Sequence, residues 1–242
     1  RNALREHLVV FFRDQSLDAG SLDALGRQFG APHPHYVTPE GVDGFEGVVL
    51  VHADADTLAN NGGGWHSDCS FDEVPPMGSI LHLHTAPELG GDTLFANMHA
   101  AYDALSDSMK KFLEGLTARH DSGPTFQRLF GTKAEDIKGG VFNATTHPVV
   151  RTHPETGRKS LFIGDISAGT IEGMSQVESD ALLCQLRDFA TRPNFVYRHH
   201  WRVGDALMWD NRATLHSATD FDQDKYIRHM HRTTILDDVV PS

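Results

Sequence analysis

The sequence predicts a mainly β protein with inserted helices (α+β), folded around a double-stranded β-helix, or jelly-roll, core. Three observations carry this. Short β-like runs recur from Leu8 to Leu236 with Gly and Pro turn signals between them. Only a few amphipathic helical stretches interrupt these runs. The regular strand–helix–strand alternation of a parallel sheet is missing, which leaves a decorated antiparallel barrel. With no internal repeat or low-complexity tract, residues 1–242 read as a single domain with an irregular, Gly-bearing excursion, or lid, at about 121–145.

Leu8–Phe12 reads as a short strand, and Leu22, Leu25 and Phe29 give helical spacing to a stretch from about Leu17 to Phe29. Gly30, Pro32 and Pro34 stop that helix and force a loop through His33 and His35. Gly47–His52 is a Val-rich strand. Residues 53–64 are polar and glycine-rich, as a loop at the mouth of a site would be. From Ser79 to Thr85, Ile80, His82 and His84 alternate with Leu81 and Leu83, the period of a strand. The His82/His84 pair reads as one strand face, because no carboxylate or arginine set accompanies it. A Gly90-Gly91-Asp92 turn leads into a strand at Thr93–Ala96.

Two helices are expected next, His99–Leu105 and Ser108 to about His120, the second striped by Met109, Phe112, Leu113 and Leu116. Val149–Thr152 and Ser160–Ile163 flank a hairpin turn. Ser175 with Glu178 is a capping-box signal for a helix reaching about Thr191. Strands at Phe195–Trp201, Ala206–Trp209 and Tyr226–Leu236 close the chain.

Composition removes several function classes. A formal net charge of −12 opposes a nucleic-acid partner, whose phosphates demand a basic face. No apolar run approaches the roughly 18 residues of a membrane span. Leu8–Phe12 is followed by no small-residue cleavage site, so no signal peptide is read there. Two cysteines, Cys69 and Cys184, suit a reducing, cytoplasmic setting rather than a disulfide scaffold. Sixteen histidines direct attention to metal chemistry.

Trp65-His66-Ser67-Asp68 is the focus of that chemistry. On an extended segment His66 and Asp68 share a face, and a second histidine would complete the 2-His-1-carboxylate triad of non-haem Fe(II) sites. His82, His84, His147, His153, His199, His200, His229 and His231 all lie on or beside predicted strands. The best candidate is His216, which follows a strand and a turn and so reaches a barrel mouth. Arg228 and Arg232 lie four apart on one strand face, about 13 Å at roughly 3.3 Å per residue. Two inward guanidiniums each need an anion: a co-substrate carboxylate for one and an acidic group of the substrate for the other.

His66-Ser67-Asp68, the Gly90–Thr93 turn, Trp209–Arg212 with His216, and Arg228–Arg232 together resemble the TauD/TfdA family of Fe(II)- and 2-oxoglutarate-dependent dioxygenases. The resemblance runs in order from about Leu8 to Leu236. It implies that His66, Asp68 and His216 hold Fe(2+), and that Thr93 and Arg228 hold the distal carboxylate of 2-oxoglutarate. It also implies that Arg232 binds the anionic group of the substrate and that His35 is a substrate-binding histidine. O2 would be consumed, 2-oxoglutarate decarboxylated to succinate and CO2, and a small organic anion hydroxylated. Phe71, Trp209 and the 121–145 excursion are expected to exclude water. The expected partner is a small anionic molecule, with no nucleic acid and no membrane; assembly into a homo-oligomer is left open.

Two departures bear on the substrate. Taurine enzymes have Asn where this chain has Gly62, and Tyr where it has Thr38, so two polar partners for a small aminosulfonate are absent. The wording of Trp65–Asp68 and Phe95–Met98 leans toward the phenoxyacetate branch. Two other function classes compete: a barrel hydrolase or isomerase holding Zn(II) on the same three ligands, and a non-catalytic anion-binding jelly roll. The first leaves Arg228 without a purpose, and intact ligands oppose the second.

Overall fold

The strand in which Ile80, His82 and His84 alternate with Leu81 and Leu83 lies at the centre of the larger sheet. A computed structural model describes residues 1–34, 41–57, 62–123, 144–163 and 169–242. The first half contains α1 (Asn2–His7), β1 (Val9–Phe12), α2 (Ala19–Arg27), β2 (Val48–Ala53), β3 (Gly78–Thr85), β4 (Thr93–Asn97), α3 (Met98–Asp103), α4 (Asp107–Leu113) and β5 (Thr117–Asp121). Then come β6 (Ala144–Pro148), β7 (Val150–Thr152), β8 (Lys159–Leu161), β9 (Gly169–Ile171) and α5 (Gln176–Ala190). The chain closes with β10 (Val196–His199), β11 (Ala206–Asp210), β12 (Thr214–Ala218) and β13 (Arg228–Ile235).

The larger sheet runs β1-β11-β3-β13-β2 and the smaller one β10-β4-β12, with every pairing antiparallel. Alternation sends Leu81, Leu83, Leu207, Trp209 and Met230 of the larger sheet to one face, where they pack with Phe95 of the smaller. These two facing sheets are the jelly-roll core. Burying each such side chain contributes roughly 1.5–3 kcal/mol.

Helix α2 covers the opposite face of the larger sheet at one end. Asp18 caps it by accepting from the Ser21 N–H, and Leu22 packs with Val48, Ile80, Met208 and Ile235. Gly26 is required there, because a Cβ would stand 2.9 Å from Thr233 Cγ2. On the other side of the molecule α5 opens with the expected Ser175/Glu178 capping box, and its Leu186 and Ala190 pack with Met98, Ala101 and Ile171. The β7–β8 hairpin forms as expected, with Val150 opposite Leu161.

The structure corrects two expectations. A short helix, α1, precedes the first strand, and Leu8 is its left-handed cap (φ 63°) rather than a strand residue. The helix expected over Ser108–His120 ends at Leu113, since Gly115 takes φ 82° and Thr117–Asp121 then pairs with β6 and β9. His216 follows a strand and a turn as expected, and lies within a further strand, β12. Asp121 pairs with Ala144 at the ends of the excursion expected at about 121–145, and the excursion itself, residues 124–143, lies outside the described residues. Among the described residues no helix is long and apolar enough to cross a membrane.

Candidate active site

His66 and His216 are brought together by the backbone before any side chain is considered. They form an isolated antiparallel bridge, in which His66 N–H donates to the His216 carbonyl at 3.0 Å and His216 N–H to the His66 carbonyl at 2.8 Å. Residues paired this way project to the same side, and the two rings lie 4.1 Å apart. Asp68 completes the group: its Oδ1 is 3.8 Å from His66 Nε2 and 3.7 Å from His216 Nε2. Two metal–ligand bonds of about 2.1 Å each span that separation.

Asp68 divides its two oxygens between tasks. Oδ2 is held by Arg232 Nη2 at 2.5 Å and by the Ser79 hydroxyl at 3.1 Å, which leaves Oδ1 for the imidazoles. Burial alone would raise this carboxyl, but Arg232, then His216 and His66, outweigh it and hold Asp68 well below the usual carboxylate range. His66 Nδ1–H donates to the Gly64 carbonyl at 2.9 Å, which fixes the tautomer and leaves the Nε2 lone pair facing Asp68. Burial, reinforced by His66, pushes His216 well below its ordinary value, so its ring is neutral, as a ligand must be. Three neutral-or-anionic donors on one side of a point fit a divalent metal ion, and two imidazoles with one carboxylate is the donor set of facial iron sites.

Asn211 is the residue the sequence left without a role. Its Oδ1 accepts from the Asp68 N–H (2.9 Å) and the Ser67 hydroxyl (3.1 Å), and its Nδ2 donates to the carbonyls of Asp68 (3.1 Å) and Pro76 (3.0 Å). The ligand loop is thereby clamped to the turn between β11 and β12. Asp210, gripped by Arg212 and His153, holds that turn from below. Cys69, directly after Asp68, has a left-handed backbone (φ 43°), a conformation that costs a non-glycine residue about 1 kcal/mol. His33, Cys69 and Asp72 have metal-ligating spacing too. There His33 Nε2 already bonds Asp72 Oδ2 at 2.8 Å, and burial, with Asp72 and Asp68 nearby, pushes the thiol up, so Cys69 acts as a packing residue.

Four of the other histidines on or beside predicted strands are engaged elsewhere, and His82, His84, His229 and His231 lie on the opposite face of the larger sheet from the triad. His147 donates to the Asp72 carbonyl, His153 bonds Asp210, His199 bonds Asp205 and His200 bonds Asp92. Trp209 is wholly buried and its ring lies 4.8 Å from that of His216, with Phe95 stacked behind at 6.0 Å. Phe71 is half-buried. Gly62 takes φ 99°, a region that favours glycine, and its carbonyl accepts from the Ala218 N–H at 2.9 Å. His35 and Thr38 lie outside the described residues.

Arg228 lies on the inward face of β13, only 6% exposed, and makes no ion pair with any described carboxylate. Its Nη2 reaches Thr93 Oγ1 at 3.4 Å and its Nε has no partner among the described residues. Burial, partly countered by Asp92, lowers it to about 10. Thr93 Oγ1 also accepts from Trp201 Nε1 at 2.9 Å, so its own proton is available to a ligand. Thr93 is paired with Ala218, two residues along β12 from His216, about 7 Å at 3.3 Å per residue. Arg232 Nε and Nη2 are used by Thr234, Ser79 and Asp68, while Nη1 has no bond among the described residues.

A jelly roll holding two imidazoles and a carboxylate, with a buried arginine that has no carboxylate partner among the described residues, defines a metal-dependent site that takes an anionic co-substrate. Comparison with known proteins gives the family. The profile described as "Taurine catabolism dioxygenase TauD, TfdA family" matches residues 1–234, and the chain belongs to that family of alpha-ketoglutarate-dependent dioxygenases. An (S)-phenoxypropionate/alpha-ketoglutarate-dioxygenase of Sphingobium herbicidovorans is 38% identical over 226 residues, 90% of this chain and 78% of the relative. An alkylsulfatase of Acinetobacter baylyi is 36% identical over 246 residues, 98% of this chain and 76% of the relative. The solved structure of AAD-2 in complex with Mn(II) and N-oxalylglycine shares 33% identity at a TM-score of 0.82, covering 100% of this chain and 87% of that one. The family's cofactors, Fe(II), 2-oxoglutarate and O2, are those this chain uses, and the donor set above fits the metal. The zinc-hydrolase and binding-module readings have no counterpart among these relatives.

Proposed function

We propose that this dioxygenase hydroxylates a small organic anion, of the sulfonate, alkyl sulfate or aryloxyalkanoate class, within one jelly-roll domain. His66, Asp68 and His216 hold Fe(II); Thr93 and Arg228 hold the distal carboxylate of 2-oxoglutarate; Arg232 and His35 orient the substrate anion. When bound, the iron would activate O2 as the oxidant, with 2-oxoglutarate giving up two electrons on its decarboxylation to succinate and CO2 and the substrate giving up the other two on hydroxylation.

The chain's own residues set the conditions for this. His66, its Nδ1–H tied to the Gly64 carbonyl, turns Nε2 toward Asp68; His216 presents a neutral ring, and Asp68 is kept ionised by Arg232. The Arg228 guanidinium provides the charge-assisted grip that a carboxylate requires, and the Thr93 hydroxyl adds a donor. Trp209 and Phe95 form an apolar wall beside His216, which strengthens charge interactions by excluding water. The observation that carries the reading is the buried Arg228, which has no carboxylate partner among the described residues: a zinc hydrolase gives it no anion, and the intact donor set of His66, Asp68 and His216 opposes a mere anion binder. For the substrate class, the support is Arg232 Nη1, which has no protein partner among the described residues, and the phenoxypropionate and alkyl sulfate relatives. Gly62 in place of Asn disfavours taurine.

A screen of sulfonates, alkyl sulfates and aryloxyalkanoates for substrate-stimulated succinate formation tests the substrate class. Anaerobic Fe(II) with 2-oxoglutarate should give a visible charge-transfer band that His66→Ala abolishes together with turnover. A His66→Ala protein retaining both would overturn the ligand assignment.

A further inference from the structure

The larger sheet has a second concentration of histidines that the dioxygenase chemistry leaves unused. His82-Leu83-His84 on β3 and His229-Met230-His231 on β13 are both His-x-His, and the two strands are neighbours with His231 opposite His82. Leu83 and Met230 point into the core between the sheets, so His82 and His231 project from the other face. A β-bulge beside them, where His229 faces Thr85, leaves His84 as the extra residue, and the ring contacts put His84 and His229 with that pair. The ring of His84 is the centre of the group: it lies 4.2 Å from His231, 4.6 Å from His82 and 5.5 Å from His229. His52 of β2 extends the row, 5.5 Å from His229.

The hydrogen bonding of these rings is one-sided. His82, 3% exposed, donates from Nε2 to the Gln15 carbonyl at 3.1 Å, which leaves its Nδ1 as the lone-pair nitrogen. His52 donates from Nε2 to Asp54 at 2.9 Å, the carboxylate–imidazole pairing that orients a ligand, and leaves Nδ1 likewise. Those two Nδ1 atoms, His84 Nε2 and His231 Nδ1 are buried and have no partner among the described residues. Unpaired buried acceptors are costly. The charged groups that face the row are Asp54 beside His52 and Asp43 near His231. Burial and mutual repulsion lower His84 to about 4 and push His231 and His229 down as well, so the rings are neutral at pH 7, the form that ligates metals.

We propose that His84, His231 and His229, with His82 behind them, form a second metal site on the outer face of the larger sheet. It would take a divalent ion of the Zn(II), Ni(II) or Cu(II) class. Two histidines at i and i+2 on a strand form a chelate, and a facing pair on the adjacent strand supplies the remaining nitrogens. Bonds of 2.0–2.1 Å put ligating nitrogens about 3.3 Å apart, which half-buried rings reach by rotating about χ2, a broad torsion for histidine. An all-imidazole donor set selects these borderline ions over Mg(II) or Ca(II). The site is independent of the iron triad, which lies on the inward face.

The test uses the metal-stripped full chain without a histidine tag, loaded with Zn(II) and desalted. Wild type should retain about two equivalents, His84→Gln/His231→Gln about one, and His66→Ala/His216→Ala about one. His229→Gln, a milder change at a half-buried position, should weaken binding at the outer site about tenfold or more. Cu(II) added to His66→Ala/His216→Ala should show nitrogen hyperfine coupling in its EPR spectrum. Two equivalents retained by His84→Gln/His231→Gln, or only one by wild type, would overturn the proposal, as would a copper spectrum without nitrogen coupling. At pH 7.5 the 2-oxoglutarate turnover of the His84→Gln/His231→Gln protein should match wild type and its thermal midpoint should not fall below it, which separates loss of the site from loss of the fold.

Discussion

Arg228 is a full positive charge inside the barrel with a hydroxyl as its described partner. Burial disfavours that charge, so the folded protein tolerates Arg228 at some cost to its own stability. Arg228→Gln is therefore expected to leave the thermal midpoint unchanged or raised, while the apparent KM for 2-oxoglutarate rises about a hundredfold, the roughly 3 kcal/mol of a bidentate charged contact. An unchanged KM with a lowered midpoint would make Arg228 structural instead. Arg232 works in the opposite direction, because it stabilises the ionised form of Asp68. Without it, as in Arg232→Gln, the carboxyl rises toward the ordinary range and protons compete with the metal at higher pH. Iron affinity should then fall about 10–100-fold, with the deficit widening as pH drops; equilibrium dialysis at several pH values would show it. Both arginines were legible as anion-seeking residues from their four-residue spacing. That Arg232 also braces Asp68 was not, because nothing in the local sequence says that β13 passes Asp68.

The same division between near and far recurs among the elements. Helix α5 could be read in full because its signal is local: Ser175 accepts from the Glu178 N–H, and the Glu178 side chain returns to the Ser175 N–H. Ser175→Ala should cost about 1 kcal/mol, lowering the midpoint by about 2–4 °C in a chain of this size, with no change in turnover. Glu178→Ala added to it should cost less than its separate effect, since both residues act in one box. Thr117–Asp121 was misread because the stripe through Met109, Leu113 and Leu116 continues the helical period past α4. Gly115 and the pairing of β5 with β6 and β9, a tertiary matter, override it. Strand β12 escaped notice for a related reason. Thr214–Ala218 is buried along nearly its whole length, so it lacks the alternation that marks a half-exposed strand. His216 could be nominated as a ligand, but its bridge to His66 had to come from the fold.

At the scale of the whole molecule, histidine decides how the protein responds to acid. Burial pushes His99, His147, His199 and His216 below their ordinary values, lowers His84 to about 4 and His120 to about 3. In the unfolded chain the same rings titrate near 6.5. The sign follows: between pH 6.5 and about 4 the unfolded state binds protons that the native state refuses, so stability falls as pH falls. The depressed carboxyls Asp68 and Asp210 act in the same direction but lower, below about pH 4, where the unfolded chain takes up their protons first. The thermal midpoint should thus drop by several degrees from pH 7.5 to 5.5, above the range where the depressed carboxyls Asp68 and Asp210 contribute. His120 allows this to be assigned. It is 1% exposed, stacks on Phe162 at 4.9 Å, and neither ring nitrogen has a partner among the described residues. His120→Phe removes an unsatisfied buried polar ring at nearly constant volume, so it should stabilise the protein by about 1–2 kcal/mol at pH 7.5. It should also narrow the gap between the pH 7.5 and pH 5.5 midpoints, because one proton-binding site of the unfolded state is gone. A variant that gained stability equally at both pH values would show that His120 contributes packing but not acid sensitivity.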